Sequence, residues 1–435
     1  MPALALQSLW SVTAPPGPEC ARLDGSRNVQ VAVIGAGYTG LSAALHLAQA
    51  GRAVAVLESA DVGEGASGLN GGQVIPGVKH DPDKLEELFG RAVGQALIET
   101  VASGPSVVFE LIERLGIACD VRRSGWIQPA SSEAALAVQV SRVEQWRRRG
   151  AAVELLSRAE LQRLTGSSRY CGGLIDRRGG SVQPLAYARG LAQALLRQGG
   201  QLYTHSPALK FSRAGQGYRI ETPGGSVSAP LVIVATNAYS GALTDPLRRS
   251  VVAVPSFQVA TAPLAVPLRA SILPEGQAAS DTCRLLRYFR LDSSGRLVMG
   301  TRGSYTATPT TFTARHHYRA VREIYPQLEG IGFDYHWGGF VALTQDHLPH
   351  LHELAPGMYA GLGYNGRGVA MATVMGRLLA RWALGESPAE LGFPVTPVRP
   401  IRLHVFSRLG VRATIQYLRL ADAFASLQHQ ARGPT

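Results

Sequence analysis

Residues 28–59 read NVQVAVIGAGYTGLSAALHLAQAGRAVAVLES, and the order of residue types in this stretch decides the fold. Val29, Val31 and Val33 mark a buried strand, and Gly35-Ala36-Gly37-Tyr38-Thr39-Gly40 is the turn that follows it. Leu41 to Ala50 is helix-forming, Gly51 ends that helix, and Val54 to Leu57 is a second strand. This is one βαβ unit, the building block of a parallel sheet. The glycines fit GxGxxG, and each has a physical task. Gly35 permits the tight turn, Gly37 lets backbone approach a pyrophosphate, and Gly40 lets helix and strand pack closely. Tyr38 and Thr39 open the helix, whose unpaired N–H groups and dipole favour an anion. Glu58 ends the second strand, placed to accept from ribose hydroxyls and to repel a 2′-phosphate, which disfavours NADP. The unit alone leaves NAD and FAD both open.

Outward from this unit, residues 1–28 read as an extended N-terminal arm. Helical periodicity covers 84–115, 133–149, 158–165 and 184–198, with Pro184 in a first turn. Residues 171–175, 231–234, 251–264, 283–291 and 296–302 favour strands, and Asp292-Ser293-Ser294-Gly295 is a hairpin turn. Residues 358–385 give strand, glycine-rich turn and helix, with Val369, Ala372, Gly376, Leu379 and Ala383 on one face. The expected architecture is α/β (α+β, two domains). A Rossmann-like dinucleotide domain (29–84, 181–245, 340–396) interleaves with a mainly antiparallel β-sheet substrate domain (85–180, 246–339), and 397–435 forms an amphipathic tail.

The bulk composition is that of a globular enzyme: 435 residues, 46% hydrophobic and 17% charged. No apolar run reaches the ~18 residues a spanning helix needs, and the N-terminus lacks signal-peptide organisation, so a cytoplasmic protein is expected. Cys20, Cys119, Cys171 and Cys283 are scattered, with no metal or redox spacing, and no metal site is expected. The net charge of +12 comes almost wholly from dispersed arginines. The cluster Arg147-Arg148-Arg149 ends a helix before Gly150, and no basic run is interleaved with aromatics. Nucleic acid is therefore not an expected partner. Peripheral membrane contact is unsupported, and oligomeric state is not legible.

Beyond the fingerprint, a series of blocks resembles the FAD-dependent oxidoreductases of the D-amino-acid oxidase-like (DAO) superfamily, specifically the gamma-glutamylputrescine oxidase-type branch. They begin with Glu58-Ser59 and Gly65-Ala66-Ser67-Gly68-Leu69-Asn70-Gly71-Gly72-Gln73. They continue with Gly180-Ser181-Val182-Gln183-Pro184, then Val232 to Tyr239, which includes Ala235-Thr236-Asn237. Tyr288-Phe289-Arg290, Leu297 to Gly300, Trp337-Gly338-Gly339 and Gly363-Tyr364-Asn365-Gly366-Arg367-Gly368-Val369-Ala370 complete the series. The resemblance implies a glutathione-reductase-like architecture and FAD bound without a covalent link, since no cysteine lies at 337–346. It places Gly65 to Gln73 along the flavin, Gly363 to Val369 at its pyrimidine edge, and Ala235 to Asn237 beneath the adenine, with Val182 also in contact. Two departures stand out: Leu69 replaces an arginine-like residue, and Arg367 stands where histidine is common.

Substrate follows from absences. Relatives that oxidise amino acids hold the carboxylate with arginine or lysine. Here Val369-Ala370 follow the glycine turn, Phe340 to Leu343 follow Gly339, and Lys210 is the sole lysine beyond Lys84. The implied substrate is a small-molecule amine without an α-carboxylate, such as an acylated polyamine of the gamma-glutamylputrescine kind. Hydride would pass from the carbon beside nitrogen to flavin N5, water would hydrolyse the imine, and oxygen or a quinone would reoxidise the flavin. Such chemistry needs no acid–base triad, so no catalytic residue is assigned. Tyr288, His336, Trp337 and Phe340 are candidates for lining the substrate face. The alternatives are a D-amino acid or N-methyl amino acid oxidase or dehydrogenase and, in another class, a non-catalytic flavin-carrying binding subunit.

Overall fold

Strand Val31–Ile34 lies between Val54–Leu57 and Leu231–Val234, parallel to both. Gln201–Tyr203 extends one edge of this six-stranded sheet, and the hairpin Met358–Leu362 and His350–Ala355 completes the other. The computed structural model describes residues 7–302, 311–407, 409–414 and 416–417. Every residue of Val31–Ile34 and Val54–Leu57 is buried, because both faces of the sheet are covered. Val31, Val33, Val54 and Val56 belong to the core with helices Tyr38–Gln49, Pro184–Arg197 and Gly368–Ala383. Ala32, Ile34, Ala55 and Leu57 meet a second layer, the four-stranded sheet of Gly25–Asn28, Gly225–Ala229, Gly217–Thr222 and Lys210–Ala214. Gly376 lets helix Gly368–Ala383 close on Tyr38–Gln49: a Cβ there would lie 2.4 Å from the Thr39 carbonyl oxygen. The middle of helix Gly368–Ala383 is thereby set against the first turns of Tyr38–Gln49.

The second large sheet has eight strands, in the order Phe333–Leu343, Val252–Thr261, Leu297–Arg302, Arg287–Leu291, Ala278–Ser280, Trp126–Ala130, Gly172–Asp176 and Val153–Leu156. Every pair is antiparallel except Ala278–Ser280 with Trp126–Ala130. One face is sealed by Leu161, Val321 and Ile324 from two helices, packed on Ile127, Val259, Phe289 and Met299. The opposite face looks towards Leu69–Gln73. This is the α/β architecture implied by the sequence, a parallel nucleotide-type sheet interleaved with a mainly antiparallel one.

Three local readings change. The N-terminal segment is more than an extended arm: Leu9–Thr13 is helical with Leu9 and Trp10 buried, and Gly25–Asn28 pairs with Gly225–Ala229. Helix Thr311–Ile324 was not foreseen, because the residues that bury it, Ala320, Val321 and Ile324, are few in a polar stretch. Arg91–Leu115 has the length and composition to cross a bilayer, but half of it is buried, and it breaks at Ser103 into Arg91–Ala102 and Gly104–Leu115. Of the expected tail, residues 408, 415 and 418–435 lie outside the described residues.

Candidate functional site

The fingerprint turn is built as its glycines demand. Gly35 has φ +105°, and a Cβ on Gly40 would sit 1.9 Å from the Gly35 carbonyl oxygen. Gly37 occupies the N-cap of helix Tyr38–Gln49 and, lacking a side chain, supplies no side-chain cap of its own. The Glu58 carboxylate is held in place by the backbone: Oε2 accepts from Ala36 N–H at 2.7 Å, and Oε1 from Ala60 N–H and the Ser59 hydroxyl at 3.0 Å each. Its remaining lone pairs suit ribose hydroxyls. Ala235 sits beside Gly35, and the Asn237 side-chain oxygen accepts from Gly363 N–H at 3.0 Å. Thus 35–40, 235–237 and 363–369 form one rim.

Gly65–Gln73 is neither a linker nor a simple turn. Ala66–Leu69 is a short helix, and Ser67 Oγ accepts from Tyr38 N–H at 3.0 Å, tying it to the fingerprint. Tyr38 donates its hydroxyl to the Ser67 and Pro184 carbonyls, so its side chain is structural. Asn70 donates to the Ala66 and Ser67 carbonyls and accepts from Gly72 N–H at 2.7 Å, while its own carbonyl accepts from the Trp10 indole at 2.8 Å. Beyond this clamp the segment crosses the eight-stranded sheet strand by strand. The Leu69 carbonyl accepts from Trp337 and Gln258, on the first two strands. Gly71 lies against Tyr288 and receives Arg290 Nε at 2.9 Å, both on the fourth. Gln73 donates to the Ala279 and Phe289 carbonyls, on the fifth and fourth. Gly72 has φ +69°, and a Cβ there would lie 2.1 Å from the Val182 carbonyl oxygen. Backbone this close to its neighbours requires glycine.

The third wall is Gly363–Val369. Gly363, Asn365 and Gly366 all have positive φ. Asn365 is buried and pins the turn to Thr344, accepting from Thr344 N–H at 3.1 Å and donating to its hydroxyl at 3.0 Å. The turn delivers helix Gly368–Ala383 with no side-chain cap at its N-terminus. Two helix N-termini therefore border one rim, neither capped by its own N-cap side chain and the first bonded at Tyr38 N–H by Ser67. Their remaining N–H groups suit the anionic groups of a dinucleotide. Nearby, the Gln258 side-chain oxygen is buried beside Gly71 without a hydrogen-bond partner, a second opening for a donor from outside the chain.

Residues 30–382 match the family described as DAO, FAD dependent oxidoreductase. The chain belongs to that family. It is 34% identical over 380 residues to the gamma-glutamylputrescine oxidoreductase of Escherichia coli (strain K12), covering 87% of this chain and 89% of the relative. Glycine oxidase from Geobacillus kaustophilus shares the fold with a TM-score of 0.69 at 21% identity, covering 85% of this chain and 99% of that one. L-amino acid deaminase from Proteus vulgaris does so with a TM-score of 0.71 at 19% identity, covering 88% of this chain and 96% of that one. The protein is an FAD-dependent oxidoreductase, and the glycine-shaped turns, the fixed Glu58 and the two helix N-termini fit its cofactor.

In this flavoenzyme the side chains foreseen at the substrate face divide by strand alternation. Tyr288 packs on Gly71 and bonds the Ser256 hydroxyl at 2.9 Å; Trp337, fully buried, stacks edge-on against Trp10 at 5.6 Å. Both stand on the face towards Leu69–Gln73. His336 and Phe340 do not. His336 contacts Phe257 and His317 on the sealed face, and burial drops its pKa to about 4. Phe340 packs against Tyr239 and the core of the parallel sheet. The sequence reading missed Gln258 and the role of Arg290. Arg290 was within reach, since it shares a face with Tyr288 two residues earlier. Trp10 gave no signal, because its partners lie 60 residues or more away along the chain.

Proposed function

We propose that the protein oxidises an amine that carries no carboxylate on the oxidised carbon, an acylated polyamine of the gamma-glutamylputrescine kind. One observation carries this reading: the sheet face beside Leu69–Gly71 offers no idle cation among the described side chains. Ser256, Gln258, Tyr288 and Trp337 are neutral, and Arg290 spends all three guanidinium nitrogens on the Gly71, Val182 and Leu291 carbonyls. An α-carboxylate buried there would have no idle cationic partner among the described side chains, a cost of several kcal/mol. FAD, when bound, supplies the acceptor for the two electrons released. The chain's own groups do the rest. The backbone of Gly35 to Gly40 and the start of helix Tyr38–Gln49 would hold the diphosphate, Glu58 the ribose, and Gly65–Gln73 with Gly363–Val369 the flavin. Tyr288 and Trp337 would exclude water from the reacting carbon.

The test is anaerobic titration of the purified yellow protein with a panel of amines and α-amino acids, following flavin absorbance. Bleaching by N-acyl diamines supports the proposal; bleaching by α-amino acids alone overturns it. A protein that takes up no FAD would remove its basis.

A further inference from the structure

A second buried arginine stands at the far end of the crossing segment, and it is used differently. Arg367 leaves the N-terminus of helix Gly368–Ala383, donates Nη1 to the Pro76 carbonyl, and rests over the Trp126 ring at 5.5 Å. It is 9% exposed. Among the described residues no other hydrogen bond reaches its guanidinium, so Nε and Nη2 are idle. The charged groups around it are Arg142, Arg178, Asp81 and Asp176. These four already satisfy one another: Arg142 pairs with Asp81 at 2.6 Å and Arg178 with Asp176 at 2.6 Å. Arg367 is therefore a surplus cation, and burial draws its pKa down to about 9. A buried guanidinium with idle donors and no counter-ion is stabilised by an anion brought from outside.

The position of Arg367 says which part of a substrate that anion belongs to. Trp126 projects on the same sheet face as Tyr288, linked through Ser280, which accepts from the Trp126 indole and donates to Gln73. The strands of Tyr288 and Trp126 are two places apart in the sheet, about 10 Å. An α-carboxylate is too short to span that distance from a carbon reacting near Gly71; a carboxylate at the end of an acyl tail is not.

We infer that Arg367 is a specificity-determining residue that receives a carboxylate carried on the substrate's acyl tail, remote from the oxidised carbon. The inference rests on the amine-oxidation reading above and adds a polarity to the site. The amine end lies among neutral groups at Leu69–Gly71, and the anionic end lies at the idle Nε and Nη2 of Arg367, beside Trp126.

The test uses the holoprotein and two N-acyl diaminobutanes of equal length, one ending in a carboxylate and the other in the corresponding primary amide. The readout is the substrate concentration giving half the maximal rate of anaerobic flavin reduction. The wild type is expected to prefer the carboxylate at least about tenfold, the discrimination a charge-assisted hydrogen bond supplies. Arg367→Gln should erase that preference by raising the carboxylate's value to that of the amide, and Arg367→Lys should restore part of it. Equal values for the two tails in the wild type overturn the inference without need of any variant. So does Arg367→Gln weakening both tails alike, or keeping the preference while sulfite binding to the oxidised flavin falls, which would assign Arg367 to the cofactor. A wild type bleached by neither tail removes the parent reading, and this inference with it. A wild type bleached by both at equal concentration removes this inference alone.

Discussion

Arg290 and Arg367 are both buried guanidiniums bordering the same backbone segment, and both have pKa values lowered by burial, to about 10 and about 9. Arg290 places Nε, Nη1 and Nη2 on three carbonyl oxygens and lies 4.8 Å above the Trp10 ring. Arg367 places one nitrogen on one carbonyl. The first is a fastener whose donors face the chain; the second keeps donors for something the chain does not supply. Burial and charge look alike in the two cases. The difference lies in counting donors, which separates residues that shape a pocket from residues that read what enters it.

The comparison breaks most visibly if the fastener is removed. Arg290→Leu leaves the Gly71 and Val182 carbonyls buried without their donor, and should cost about 3 kcal/mol or more in denaturant unfolding. It should also loosen FAD retention on gel filtration. Unchanged stability would show that Arg290 fastens nothing. Gly72→Ala attacks the same junction from the backbone, pushing a Cβ towards the Val182 carbonyl in a positive-φ residue, and should cost about 2 kcal/mol or more. Arg367→Leu should do the opposite of Arg290→Leu. Removing a surplus buried charge should change unfolding free energy by less than about 1 kcal/mol, and a loss as large as that of Arg290→Leu would erase the distinction.

Histidine extends the contrast to a titrating base. The folded chain holds His336 and His352 largely neutral, with pKa values near 4, chiefly through burial. The unfolded chain binds protons at the ordinary histidine value of about 6.5. Stability contributed by these rings is present above that value and is lost as pH falls from about 6.5 to about 4. His336→Gln should flatten the fall in melting temperature across that window; an unaltered slope would contradict the burial of the neutral ring. The smallest effect is expected at Leu69, half-buried against Gly339. Leu69→Arg should shift the flavin absorption maximum by a few nanometres and stability by under about 1 kcal/mol. Loss of FAD binding there would show that the side chain, not the backbone, serves the site.

How much of this was legible in the sequence depends on how local each feature is. The strands Val31–Ile34 and Val54–Leu57, their turn and Glu58 lie within thirty residues and could be read directly. The glycines of Gly65–Gln73 were legible as a close-approach segment, but their course across four strands was not, since each contact is with residues far along the chain. The assignment of His336 and Phe340 turned on strand register. One residue of difference in Phe333–Leu343 exchanges the faces, and only the pairing of Val259 with His336 and Gln258 with Trp337 settles which side is which. Arg367 was visible as a departure from the family pattern. That its neighbours are already neutralised was not visible, because Asp81, Arg142, Asp176 and Arg178 meet only in the fold.

Trp10 has a bearing on how the molecule is made. It belongs to the first helix among the described residues, Leu9–Thr13, yet it contacts Asn70, Arg290 and Trp337. A chain synthesised from its N-terminus therefore makes this tryptophan long before two of its three partners exist. The parallel-sheet core around Val31–Ile34 can begin to gather early, but the wall against Leu69–Gly71 cannot close until residue 337 has been made. With this wall set against the flavin as proposed above, firm hold on the cofactor is a late event in the life of the chain, however early its signature is written.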